Sequence, residues 1–590
     1  MRKTKNKVFS IGLSLCLVMA TAFGCGKSDK SVTEIKGNTD SSANTVSTEK
    51  SSTSQDSESK AEYEDKLFDK SYVHKVNIDI SEEDWADLLA NPLNKTKYEV
   101  NITIDGETIE DVSFATKGNT SLSSIASDED SDRYSFKVNF GKYVDGQNYY
   151  GLDKLNLNNI YADATYMKDY LSYEIFSKVG VDSPLTSYIW LTVNGEDYGL
   201  YLAIEDISDG YLERTDKEDG ALYKPETSIL ANMDKAGGKG DGNMPEMPGG
   251  NNFPGGGEMP DGGAPDMKDF SEDGNNFPGG GEMPERNNLP GGGNFPGGGD
   301  KPDMNNFPGG DFSNSNGADL KYTDDDVESY SDIFDNAEND VTDEDNAQVI
   351  SALKKLSEGD IEDCVDTDEV IRYFVAHNFV LNYDSYTGNM LHNYYLYEED
   401  GKLSMLPWDY NLAFGGFGGA GGGMPDRNGE GKDGEARDDG NNKKNEAVSD
   451  ATSLINTGID SPLSGAAEES RPMWSWIVSS DEYKEKYHEI YNQLLTDYFE
   501  SGEFDKEIDE LYEMLLPYVE KDPTAFYSVD EFKQAYSTLK EFCNLRASSI
   551  RAQLDGKLST VTSSQEDNKK IDASSINVNV MGSQGKDKQR

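Results

Sequence analysis

Asp384, Asn389 and Asp409 lie close enough in the chain to work together. Asp384 and Asn389 stand in LNYDSYTGN as D-x-x-x-x-N, and Asp409 follows in LPWDYNLAFGG. A carboxylate such as Asp384 can accept the proton of an incoming hydroxyl. A hard divalent cation takes oxygen ligands, and Asp409 with Asn389 offers them. Alone, D-x-x-x-x-N is a weak signal, and an aspartate after Pro-Trp also reads as a turn residue. The segment between them favours the metal ligand. Asn393-Tyr-Tyr-Leu-Tyr reads as a strand, Asp400-Gly401 as a turn, and Lys402 to Leu406 as the returning strand that delivers Asp409.

The elements that must position these residues begin at Leu67. HKVNIDI alternates as a strand, with Val76, Ile78 and Ile80 on one face. SEEDWADLL follows as a short helix with Ser81 as its N-cap. YEVNITIDGETIEDVSFATK then reads as a hairpin around Asp105-Gly106, ending in the small, flexible run Lys117-Gly118-Asn119-Thr120-Ser121. RYSFKVNF is a further strand with Lys137 near its middle, and Ala162 to Val179 has helical spacing stopped by Gly180. Glu174 falls on that helix's apolar stripe beside Leu171. TSYIWLTVNGEDYGLYLAIEDIS is a hairpin around Asn194-Gly195, and Glu205 to Ser208 connects it onward. Ser475 to Leu554 has helical periodicity with many aromatic residues.

Composition bounds the rest. Lys plus Arg number 54 against 111 Asp plus Glu, a formal charge of −57, which argues against nucleic acid as a partner. The start, MRKTKNKVFSIGLSLCLVMATAFGCGKSDK, has a basic n-region and a short apolar h-region, as an export signal does. Ala22-Phe23-Gly24-Cys25 resembles a bacterial lipobox, so residues 1–24 are expected to be a lipoprotein signal peptide and Cys25 the lipidated residue. Residues 25–61 read as a disordered Ser/Thr-rich tether. The expected location is extracytoplasmic, on a bacterial cell membrane through this lipid, with plain secretion as the alternative. NNFPGGGEMP occurs at Asn251 and Asn275 with shorter echoes, so 237–318 reads as a disordered Gly/Pro/Asn repeat insertion, and about 415–449 as a second, more charged one. Residues 559–590 read as a polar tail. Cys364 and Cys543 could pair in an exported protein, but two distant cysteines are no disulfide framework, and two free buried thiols are the favoured expectation.

Strand, glycine turn, strand, lysine-bearing strand, glutamate-bearing helix and hairpin follow the order of a protein-kinase small lobe. Base aspartate, asparagine, hairpin and metal aspartate follow the order of a kinase catalytic centre. LFDKSYVHKVNIDISEEDW, TKGNTS, KLNLNNIYAD, YGLYLAIEDI, LNYDSYTGN, HNYYLY and PWDYNLAFG together resemble the spore coat protein H (CotH) family of secreted atypical protein kinases. The resemblance implies an α+β, two-lobed kinase-like fold, with a small lobe and hinge over 62–236 and a large lobe over 319–558. It implies ATP, Mg2+ or Mn2+, and transfer of the γ-phosphoryl group to serine, or another hydroxyl, of secreted or surface proteins with Ser/Thr-rich segments. Carried over, Asp384 is the catalytic aspartate and Asp409 the metal aspartate. Lys137 is the expected contact to the α and β phosphates with Glu174 as its partner. Lys117, with Gly118 and Asn119, is a competing phosphate contact, and Glu205 is either a hinge residue or the partner of a basic neighbour. Two rivals stay open: a nucleotide-binding pseudokinase, and a structural surface protein whose repeats contact wall polymers.

Overall fold

Period-two alternation builds the first half of the molecule. In β1 (His74–Asp79) the side chains of Val76 and Ile78 are buried, with Ile80 just beyond. Ser81 Oγ accepts the backbone N–H of Asp84 and caps α1 (Glu82–Ala90), where capping by serine contributes about 1 kcal/mol. β2 (Tyr98–Ile104) and β3 (Glu107–Lys117) meet at Asp105-Gly106, both at positive φ, as a two-residue hairpin requires. β4 (Ser135–Asn139), β5 (Lys154–Asn158), β6 (Thr186–Val193) and β7 (Glu196–Glu205) complete a closed barrel of order β1-β2-β3-β4-β5-β7-β6. Only the closing contact, β1 with β6, is parallel. KLNLN carries too short an alternation to stand out as a strand, yet as β5 it links β4 to β7 and closes the barrel.

This computed structural model describes residues 61–227, 315–417 and 451–583, within one compact unit, Lys60–Arg590. The expected export signal, Cys25, nearly all of the expected tether, and most of both expected insertions lie outside the described residues.

The architecture is α+β, with two hydrophobic cores. Phe114, Phe136, Val138, Leu155, Leu157 and Tyr201 fill the barrel. The second core joins α3 (Lys168–Lys178), a three-stranded sheet and the later helices. That sheet has the order β10-β9-β8, from β8 (Ala221–Tyr223), β9 (Tyr394–Glu399) and β10 (Lys402–Pro407). Helices Asp343–Glu358, Thr367–Val380, Pro472–Ser479, Asp481–Leu494, Glu503–Val519 and Val529–Leu554 supply the rest. The barrel is tied to the last helices by Arg133, whose Nη1 donates to both oxygens of Asp522 at 2.9 Å. Neither side chain is exposed by more than 1%.

Four expectations change. The helix expected from Ala162 begins only at Lys168, because Asp163 accepts the N–H groups of Thr165 and Lys168, both at 2.9 Å, and holds the intervening residues in a turn. Thr120 and Ser121, expected at the end of a flexible run, instead open the short helix α2 (Thr120–Ala126). Ala318, expected inside the repeat insertion, is buried. The expected polar tail contributes Ala573, Ile576, Val578 and Met581 to the core, and Met581 O accepts the N–H of Ala164 at 3.1 Å. Cys364 and Cys543 are separate buried thiols. Among the described residues no helix is long and apolar enough to cross a membrane.

Candidate active site

The alternation that fills the barrel also makes a surface. Residues between the buried ones on β3, β4 and β5 point outward, and the register sets Ala115 against Lys137, Lys137 against Asn156, and Asn139 against Lys154. This outer face forms one wall of a cleft of about 590 Å³. The opposite wall brings Asp384, His392, Asn393, Tyr395, Trp408 and Asp409. Six lysines line the cleft, Lys95, Lys97, Lys117, Lys137, Lys154 and Lys224, in a chain whose net charge is −57. Asp206, Glu226, Glu338, Asp384 and Asp409 line the cleft too, so it gathers both signs, with lysines enriched against the balance of the chain.

Asp384 sits in the loop after helix Thr367–Val380, which ends at Leu381 in a left-handed conformation (φ 54°). His392 Nε2 lies 2.6 Å from Asp384 Oδ1, and Asn393 Nδ2 donates to Asp384 Oδ2 at 3.2 Å and to its backbone O at 2.8 Å. Asp409 follows β10 at φ 56°, a conformation uncommon for a side-chain-bearing residue and concentrated at functional sites. Three bonds hold it there: Asp409 N donates to Tyr173 Oη at 3.1 Å, Tyr410 N to Asp169 Oδ1 at 2.7 Å, and Asn382 Nδ2 to Asp409 O at 3.1 Å. His377 stitches the two loops together, with Nδ1 2.9 Å from Tyr410 Oη and Nε2 2.8 Å from Thr387 Oγ1. Burial pushes the His377 imidazole down to about 3, so it stays neutral and serves only as a bridge.

The electrostatics are those of a crowded, enclosed site. Burial raises the Asp409 carboxyl, Lys117 opposes that, and the nearby Asp384 adds to it. Burial, then repulsion from Asp409, carries Asp169 up to about 7. Burial brings Lys117 down to about 8 against the pull of Asp409 and Asp206. Lys117 Nζ donates to Asn158 Oδ1 at 2.9 Å.

Among the described residues no group of three or more His, Cys, Asp or Glu side chains could hold a metal by itself. Mg2+ commonly uses one or two carboxylates and completes its shell with substrate phosphates and water. Asp409, carrying a carboxylate that makes no hydrogen bond among the described residues and lying near the lysine wall, fits that mode.

The structure brings Asp384, Asp409, Lys117, Gly118, Asn119 and Lys137 into this cleft. Three expected residues lie elsewhere. Asn389 is exposed outside the cleft, because the loop turns back on itself at Gly388, packed so tightly on the Tyr383 carbonyl that a Cβ would collide with it. Asn393, four residues on, returns to Asp384 instead. Glu174 pairs with Lys70, not Lys137, because the α3 turn that carries it faces the segment before β1. Glu205 takes the second of its two expected roles, partner of a basic neighbour: it is fully buried against Arg214, with Nη2 at 2.7 Å and Nε at 3.0 Å, and against Tyr63 Oη at 2.5 Å. The partner of Lys137 is Asp206, at 2.5 Å. Asp206, His392 and Asn393 were missed as site residues. The His392-Asn393 pair inside HNYYLY was the available signal for two of them; Asp206, next to the Glu205 chosen, had none.

The family description "CotH kinase protein" matches residues 114–254 and 299–550. Inner spore coat protein H of Bacillus subtilis (strain 168) is 33% identical over 73 residues, 12% of this chain and 20% of that protein. An inner spore coat protein H-like protein of the same organism is 29% identical over 93 residues, 16% of this chain and 29% of that protein. The chain thus aligns with less than a third of the length of either relative. The family match, by contrast, runs through both walls of the cleft, from Lys117 and Lys137 to Asp384 and Asp409, and covers more than half of the sequence: the chain belongs to the CotH kinase family.

Proposed function

We propose that this protein is an extracytoplasmic protein kinase with a two-lobed, kinase-like arrangement about the cleft, transferring the γ-phosphoryl group of ATP to serine hydroxyls of secreted or surface proteins. One observation carries the reading: six lysines line the same cleft as Asp384 and Asp409 in a strongly acidic chain. Phosphoryl transfer asks a protein mainly for positioning and for neutralisation of phosphate charge. Lys117, Lys137 and Lys224 supply positive charge to the phosphates. Asp384, held by His392 and Asn393, takes the proton of the acceptor hydroxyl as its oxygen bonds to the γ-phosphorus. The bond from that phosphorus to the β–γ bridging oxygen breaks, and ADP leaves with the electron pair. Asp409 would hold Mg2+ or Mn2+, which when bound offsets phosphate charge.

The test is transfer of labelled γ-phosphate from ATP to a serine-rich protein, with and without added Mg2+ or Mn2+. Asp409→Ala should abolish transfer while leaving the protein folded, since alanine at this left-handed φ costs only about 1–2 kcal/mol and opens no core cavity. Wild-type turnover by a folded Asp409→Ala variant refutes the assignment. The lipobox-like AFGC supports membrane anchoring through Cys25, and one relative is named an inner spore coat protein. Labelling with a radioactive fatty acid in a bacterial host should mark the wild type and not Cys25→Ser; equal labelling refutes the anchor.

A further inference from the structure

Lys137 and its carboxylate are carried by one continuous sheet. Lys137 on β4 is the register partner of Asn156 on β5, and Asn156 is the register partner of Ile204 on β7, two residues before Asp206. Asp206 Oδ2 meets Lys137 Nζ at 2.5 Å, while its other oxygen accepts from Asn156 Nδ2 at 2.8 Å. Both oxygens are therefore occupied, and the Asp206 side chain is only 6% exposed against 41% for Lys137. The lysine's free face is left toward the cleft that all three residues line. Burial works against the Asp206 charge, yet Lys137 beside it holds the carboxyl below the usual range, so Asp206 is a carboxylate at neutral pH. Glu174, on the nearby helix, is engaged by Lys70 and lines no part of the cleft.

From this arrangement we infer that Asp206 is the positioning residue for Lys137, and that the phosphate-holding lysine is set by the barrel itself, independently of where α3 lies. Lys137 sits on β4 and Asp206 directly follows β7, with only β5 between the two strands of the closed barrel, so both members of the pair are placed by the barrel. Formation of the pair would not be gated by movement of a helix, so any control of this site must act elsewhere. The inference rests on the kinase reading, because it takes nucleotide phosphates as what Lys137 contacts.

A double-mutant cycle tests it with the full chain, read on both equilibrium affinity for ATP with Mg2+ and rate of phosphate transfer. Asp206→Asn is expected to weaken ATP binding at least fivefold and slow transfer at least tenfold. In a Lys137→Met background the same change should alter either quantity less than twofold, because Asp206 acts through Lys137. Glu174→Gln should leave both within twofold of wild type. Should Lys137→Met fail to fold by circular dichroism, Lys137→Gln, which keeps a donor for Asp206, replaces it in the cycle. Equal losses from Asp206→Asn in both backgrounds would show a merely structural carboxylate and overturn the inference, as would coupling of Lys137 to Glu174 instead. A wild type that binds ATP but transfers no phosphate refutes the kinase reading alone, with the cycle still decided by affinity. A wild type that binds no ATP removes both.

Discussion

Lys117 should make nucleotide affinity fall as the solution becomes alkaline. Its ammonium is brought from 10.5 down to about 8, by burial above all and despite Asp409 and Asp206 nearby. The sign is that of a base with a depressed constant: below about pH 8 the lysine is charged and attracts phosphate, and above it the free protein has lost that proton. If the complex keeps Lys117 protonated, going from pH 7 to pH 9 lowers the charged fraction of the free protein roughly tenfold, and affinity falls by about the same factor. A charge-assisted contact of about 1.5–3 kcal/mol is large enough to support such a loss. Titration calorimetry with ATP and Mg2+ at pH 7, 8 and 9 reads it directly. Lys117→Arg, whose guanidinium stays charged throughout, should flatten the profile to less than threefold. Parallel profiles for wild type and Lys117→Arg would refute the reasoning, since another group would then be titrating.

Two further outcomes follow from packing. Asp522→Ala leaves the Arg133 guanidinium buried without its counter-ion and removes the acceptor of Leu200 N, which should cost about 3–5 kcal/mol. Over the roughly 400 described residues, at about 2.1 cal/mol/K each, that lowers the melting temperature by around 5 °C in calorimetry; a change under 1 °C refutes it. Ending the chain at residue 570 removes buried Ile576, Val578 and Met581, each contributing about 1.5–3 kcal/mol, together with the Gly582 carbonyl that accepts from Lys168 Nζ at 3.0 Å. The truncated protein should melt below Asp522→Ala and lose ATP affinity, because that segment props the turn carrying Tyr161 and Ala162 in the cleft wall. An unchanged melting curve would mean the segment is the loose tail its composition suggests.

Local patterns were legible in proportion to how locally they are caused. The hairpins at Asp105-Gly106, Asn194-Gly195 and Asp400-Gly401, the Ser81 cap and the alternation of β1 each depend on neighbours within a few residues, and each stands where the sequence puts it. Asp384 and Asp409 were legible because a single hairpin separates them. Lys117 and Lys137 stood out through the glycine run and the order of elements, and the register of β3 and β4 is what brings both to the cleft. The partners were not legible. Glu174 has helical spacing suited to an inward face, but the Asp163 turn shortens α3, and Lys70, more than a hundred residues earlier, takes its charge. Asn389 satisfied the expected spacing, while the turn at Gly388 gave the place beside Asp384 to Asn393. The sequence by itself determined the strands, the turns, the acidic balance and the aspartates that could do chemistry, since these follow from side-chain type and short-range geometry. Only the tertiary structure decided that the barrel closes, that Asp206 meets Lys137, and that Ala573, Ile576, Val578 and Met581 are core, because ion pairs and burial depend on segments that the chain brings together from far apart.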